Sequence, residues 1–107
     1  MATVAEFFDQ VAAQVDKSKI AGMNAVFQFN ITDEGGGEWN VKIADGDLAV
    51  APGTAENPSI VLTMKAADFL DLIAGKLNGQ TAFLTGKLKI QGDMTLAMKL
   101  QSVFALG

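Results

Sequence analysis

An α+β fold is predicted for this chain by three patterns: an N-terminal helical stripe, alternation of apolar and polar residues over 25–51, and a strand–helix–strand–helix succession thereafter. Half of the 107 residues are apolar and 19% are charged, which excludes intrinsic disorder and suffices for one core. Residues 1–107 show no repeat, linker or low-complexity stretch and are expected to form one domain.

The first element is an amphipathic helix. Val4, Phe7, Phe8, Val11, Ala12 and Val15 form one stripe of a 3.6-residue period. Thr3 and Glu6 have capping-box spacing, with Thr3 as N-cap. A break follows at Gly22. Ala25, Phe27, Phe29 and Ile31 then alternate with Gln28, Asn30 and Thr32, the period of a half-buried strand. Asp33 to Gly37 reads as a glycine-rich hairpin loop, and Trp39, Val41 and Ile43 as the returning strand. Asp45-Gly46 marks a tight turn into a third strand containing Leu48 and Val50, completing an antiparallel meander. Residues 52–58 form a loop.

The fourth strand, Ser59 to Lys65, places Ile60, Leu62 and Met64 on one face. A helix follows from Ala66 to Ala74, carries Phe69, Leu70, Leu72 and Ile73, and is stopped by Gly75. Asn78 caps a short helical turn with Ala82, Phe83 and Leu84. Leu88 and Ile90 alternate with Lys87, Lys89 and Gln91 in a fifth strand, and Asp93 caps a last helix starting at Met94.

The chain contains no His, Cys, Arg or Tyr. Zinc sites of the common kinds, thiol nucleophiles, disulfides, haem ligation and His-based acid–base chemistry are therefore excluded, and no cofactor is expected. Gly35-Gly36-Gly37 joins two strands and is flanked by Asp33, Glu34 and Glu38, so it reads as a hairpin and not as a phosphate loop. Asp45-Gly46-Asp47 lacks the ligand ladder of a calcium loop. Ser18, Ser59 and Ser102 have no nucleophile context, and Asp68 and Asp71, three apart on a helix, read as a solvated face. The expectation is a protein that is not an enzyme.

A net charge of -4 is a poor footprint for nucleic acid. Residues 1–60 hold three Lys and nine acids, and residues 61–107 five Lys and three acids. The mildly basic second half, with Lys87 and Lys89 on one strand face, suits either plain solvation or transient contact with an anionic membrane surface. The N-terminus lacks a basic n-region and no apolar run reaches the roughly 18 residues that span a bilayer, so a cytoplasmic location is expected.

The last helix is unusually apolar. At about 100° per residue its apolar positions, Met94, Met98 and Leu100 among them, fill an arc of roughly 220°, with Gln101 inside it. Such a helix is buried on two sides, dimerises, or packs one side on the core and turns the other to a ligand cavity. Met64, Met94 and Met98 are flexible thioethers suited to adaptable apolar surfaces. Gln101 needs a polar partner, either a backbone carbonyl or a ligand head group.

The runs Gly75-Lys76-Leu77-Asn78, Ala82-Phe83, Gly86 to Met94 and Leu96 to Gln101 closely resemble the sterol carrier protein-2 family. Asn24 to Phe27 and the glycine-rich hairpin before Trp39 also agree. The resemblance implies a five-stranded, mostly antiparallel sheet covered on one face by helices, with a hydrophobic tunnel between them. It implies a non-enzymatic carrier of fatty acids, fatty acyl-CoA or sterols, monomeric or weakly dimeric. By matching position, Phe83, Met94, Met98 and Gln101 would border that tunnel. Phe27, Trp39, Phe69 and Ile73 join them by expected inward orientation, and the last helix, from Met94 to Leu106, would be its gate. Two departures stand out. The chain ends Ala105-Leu106-Gly107 and lacks the peroxisomal tripeptide of many eukaryotic relatives. The segment 16–22, where some relatives hold a fatty-acid carboxylate, offers only Lys17 and Lys19, point charges without the bidentate fork of Arg. The rival reading is a protein-interaction or dimerisation module accessory to a lipid-metabolising enzyme.

Overall fold

The computed structural model describes residues 3–15 and 17–104, with side chains through residue 99. The order of elements is α1 (Val4–Gln14), a 3₁₀ turn (Lys17–Lys19), β1 (Ala25–Thr32), β2 (Gly37–Ala44), β3 (Asp47–Pro52), β4 (Ile60–Lys65), α2 (Ala66–Ile73), α3 (Gly79–Leu84), β5 (Leu88–Gly92) and α4 (Met94–Phe104). The strands and helices expected from the sequence are all present. The 3₁₀ turn is an addition, and it drives Ile20 to full burial beneath a segment read only as a break. Positions 105 and 106 of the expected last helix lie outside the described residues.

Local chemistry sets the element ends. The Thr3 hydroxyl accepts from the Glu6 amide at 3.1 Å. Asn78 Oδ1 accepts from the amides of Gln80 and Thr81, at 2.8 and 3.3 Å. Asp93 Oδ1 accepts from the Thr95 amide at 2.9 Å. Each of these side chains satisfies an amide that the first helical turn leaves without a partner. On the stripe of α1, Val4, Phe8 and Val11 are buried and Phe7 and Val15 half-buried, whereas Ala12 is exposed because the stripe extends past the edge of what it covers.

One sheet contains all five strands in the order β3-β2-β1-β4-β5. Pairs β1–β2, β2–β3 and β4–β5 are antiparallel, and β1–β4 is parallel. The parallel pair requires the chain leaving β3, at one edge, to cross β2 and β1 before it can enter β4. It crosses on the face opposite the helices, and that crossing revises the reading of the polar residues there. Gln28 and Asn40 alternate out of the core as expected, yet they are 1% and 6% exposed. Residues 53–55 lie over them. The Gln28 amide nitrogen donates to the Gly53 carbonyl at 3.3 Å and to Asn30 Oδ1 at 3.0 Å, and its oxygen accepts from the Ala55 amide at 2.8 Å. Asn40 donates to the same Gly53 carbonyl at 3.2 Å. Period two marks which residues leave the core, but not that a distant loop will cover them.

Burial of the Gln28 amide is tolerated because both of its ends are hydrogen-bonded. Replacing Gln28 with Ala strands the Ala55 amide and removes one of the two donors to the Gly53 carbonyl. The variant Gln28→Ala is expected to lose about 2–3 kcal/mol of stability, read from the urea midpoint at unchanged m-value.

Candidate ligand-binding site

The inner sheet face is built in rows, because residues paired across strands point the same way. One row runs Val41, Phe27, Ile60 and Gly92; the next Trp39, Phe29, Leu62 and Ile90; the third Gly37, Ile31, Met64 and Leu88. Helix α2 starts directly from β4, at Ala66, and turns Phe69 and Leu72 back onto these rows. Between them lies a cavity of about 10 Å³ lined by Phe29, Ile31, Leu62, Met64, Phe69, Leu72 and Leu88. Every lining side chain is apolar. The volume suffices for about one water, but a water there would find no polar partner.

An aromatic cluster closes the α1 side of this space. Phe8 lies nearly parallel to Trp39, at 5.1 Å between centroids and 14°, and to Phe69, at 5.6 Å and 8°. It also meets Phe29 at 5.2 Å and its neighbour Phe7 edge-on at 5.2 Å. Phe7 meets Phe69 edge-on at 5.4 Å. Such pairs add roughly 0.5–1.5 kcal/mol each beyond the area they bury. Within this cluster the indole Nε1 of Trp39 is buried without a hydrogen-bond partner among the described residues. A buried donor left in that state costs about 1–3 kcal/mol.

Of the side chains expected at a ligand site, Phe69 lines the cavity. Phe27 is fully buried in the adjoining row, Trp39 is half-buried in the aromatic cluster, and Ile73 is half-buried at the end of α2. Phe83, Met94 and Met98 lie outward, at 42%, 48% and 81% exposure. The side chain of Gln101 lies outside the described residues. Of the remaining wall residues, those on strands carry the same alternating apolar signature as any strand core, and Leu72 that of any helix core. Only Met64 differed from that pattern, by its thioether.

Helix α4 rests against β4 and β5. Among its side chains at positions 94–99, Leu96 is buried and Ala97 half-buried. Lys17 and Lys19 are exposed, and Lys17 pairs with Asp47 at 3.4 Å, so neither lies in the cavity wall. The three glycines 35–37 close the β1–β2 hairpin. A Cβ on Gly36 would stand 2.2 Å from the Ile31 carbonyl oxygen. Among the described residues no group of three or more His, Cys, Asp or Glu could hold a metal ion, and no helix is long and apolar enough to cross a membrane.

The profile of the SCP-2 sterol transfer family matches residues 5–105. Sterol carrier protein 2 of Homo sapiens is 43% identical over 88 residues, 79% of this chain and 16% of that protein. Hydroxysteroid dehydrogenase-like protein 2 of Xenopus tropicalis is 31% identical over 99 residues, 92% of this chain and 24% of that protein. The chain therefore spans less than a quarter of the length of these two relatives. Among solved structures, palmitated SCP2L2 from Aedes aegypti superposes with a TM-score of 0.76 at 29% identity, covering 92% of this chain and 91% of that one.

Phe8 bridges α1, the sheet and α2, so its truncation opens a void in contact with all three. Phe8→Ala is expected to cost about 3–5 kcal/mol in chemical denaturation, more than truncation of any exposed apolar residue of α3 or α4.

Proposed function

The chain belongs to the SCP-2 sterol transfer family, and we propose that it carries a single long-chain lipid, a fatty acid, fatty acyl-CoA or sterol, between the inner sheet face and the helices. The carrying observation is the cavity whose seven lining side chains are all apolar. The palmitated relative of the same fold supports a fatty acid as one ligand. Carriage without catalysis accords with a chain lacking His and Cys, whose Asp68 and Asp71 both lie outside the cavity wall. The proposed place of action is the cytoplasm, with membranes as donor and acceptor.

Pockets that enclose ligands of drug size span roughly 300–1,000 Å³, far more than the about 10 Å³ of this cavity. Uptake on this reading enlarges that space. We place the enlargement away from α1, whose side of the cavity is fixed by stacked rings, and towards α4. Each methylene buried in the opened space contributes about 0.8 kcal/mol relative to water. A bilayer offers nearly the same, so exchange between carrier and membrane runs close to thermoneutral in free energy.

Native mass spectrometry of the folded protein with palmitic acid is expected to show one ligand per chain. At a free ligand concentration of 100 Kd, unfolding should require about 2.7 kcal/mol more than in the apo protein. Leu72→Phe, which fills the cavity, should weaken binding at least about tenfold. A folded sample that takes up none of a fatty acid, an acyl-CoA or a sterol overturns the reading.

The exposure of Met94 and Met98 favours a second reading, in which α4 meets another copy of the chain. On that reading Met98→Asp lowers the sedimentation coefficient from dimer to monomer while palmitate uptake persists. An unchanged coefficient removes it.

A further inference from the structure

A buried, unpartnered polar group stands beside the cavity, and its position follows from the strand register. Ile31, Met64 and Leu88 form three successive positions of one row across β1, β4 and β5, and all three line the cavity. The β2 position of that row is Gly37, which contributes no side chain. Trp39, two residues on and on the same face, fills the gap: its Nε1 stands 3.3 Å from where a Cβ on Gly37 would be. The indole N–H thus occupies the row of the cavity one strand beyond Ile31, a spacing of about 4.8 Å. It is buried and unpartnered among the described residues. Neither Lys17 nor Lys19 lies in the cavity wall.

We propose that the indole N–H of Trp39 donates the hydrogen bond that fixes the polar end of the bound lipid, with the acyl chain running along the row towards Leu88. The inference rests on the lipid-carrier reading above and adds the orientation of the ligand and its recognition chemistry. The acceptor is an oxygen at one end of an otherwise apolar molecule: a carboxylate, an ester carbonyl or a hydroxyl. A neutral donor accepts all three, whereas Arg or Lys would select the carboxylate. Gly37 serves the site by its lack of a side chain. With φ at 157° and the indole at 3.3 Å, any larger residue there displaces Trp39.

Trp39 is the one Trp in the sequence, so its indole gives a single ¹H–¹⁵N cross-peak. Dodecanoic acid and dodecanol are expected to move that peak downfield and slow its exchange with solvent. Dodecane should shift the Ile31 and Met64 methyl resonances without moving the indole proton downfield. Trp39→Phe should weaken the acid about tenfold and dodecane far less. The proposal is overturned if the acid shifts the methyl resonances while the indole stays in place, or if Trp39→Phe weakens acid and alkane alike. The indole measurement uses the unaltered protein and holds even if the variant fails to fold. If neither acid nor alkane shifts any resonance, the carrier reading itself falls and this inference falls with it.

Discussion

Everything on the inner sheet face depends on how one ring, that of Phe8, is held. Its near-parallel contacts with Trp39 and Phe69 join the first helix, the second strand and the second helix in one cluster, and Phe29 ties that cluster to the middle of the sheet. Rings in these geometries resist sliding because their quadrupoles favour offset or edge-on contact. The consequence is an asymmetric cover. On the β2–β1 side the helical layer is fixed by aromatic packing. On the β4–β5 side the described contacts include Ala82 from α3 and Leu96 from α4.

The β1–β2 part of the sheet is covered on its other face as well. The order β3-β2-β1-β4-β5 needs a crossing from one edge to the centre, and a long crossing over a sheet tends to bury polar backbone. Here the backbone at Gly53 and Ala55 finds its partners in Gln28 and Asn40, and Ser59 fixes the entry to β4 by accepting from the Val26 amide at 3.0 Å and donating its own amide to the Val26 carbonyl at 2.9 Å. The β1–β4 register that aligns Ile31 with Met64 is set at this point. A polar cluster on the outer face therefore determines which apolar residues meet on the inner one.

The sequence made much of this architecture legible and left the cavity illegible, for a physical reason. Helix starts were readable because a cap needs a side-chain oxygen at a fixed spacing, as at Thr3, Asn78 and Asp93. Strands were readable because inward residues alternate, as at Phe27, Phe29 and Ile31. The cavity wall was not readable, since Leu62 facing a void and Ile60 facing close packing require the same side chains. Phe83, Met94 and Met98, expected at the tunnel, lie outward in the closed structure. A helical wheel gives the width of an apolar arc but not which part of it the sheet covers. Ile20 escaped notice because a lone apolar residue between Lys19 and Gly22 has no period to reveal it.

The lack of Arg, the apolar cavity and the orphaned indole belong to one energetic problem. A carrier must release what it binds, so its gain over the membrane has to stay small while its gain over water is large. Apolar walls provide this balance by themselves, since methylene burial is worth nearly the same in protein and bilayer. A buried guanidinium on a carboxylate would upset it, because truncating or vacating such a pair leaves a charge in a low dielectric at a cost of several kcal/mol. An unpartnered neutral donor is milder on both counts. Its cost in the empty protein, about 1–3 kcal/mol, is small enough for the fold to tolerate. On the proposed recognition, filling it would return a gain of the same modest size, enough to distinguish one end of the lipid from the other without trapping it.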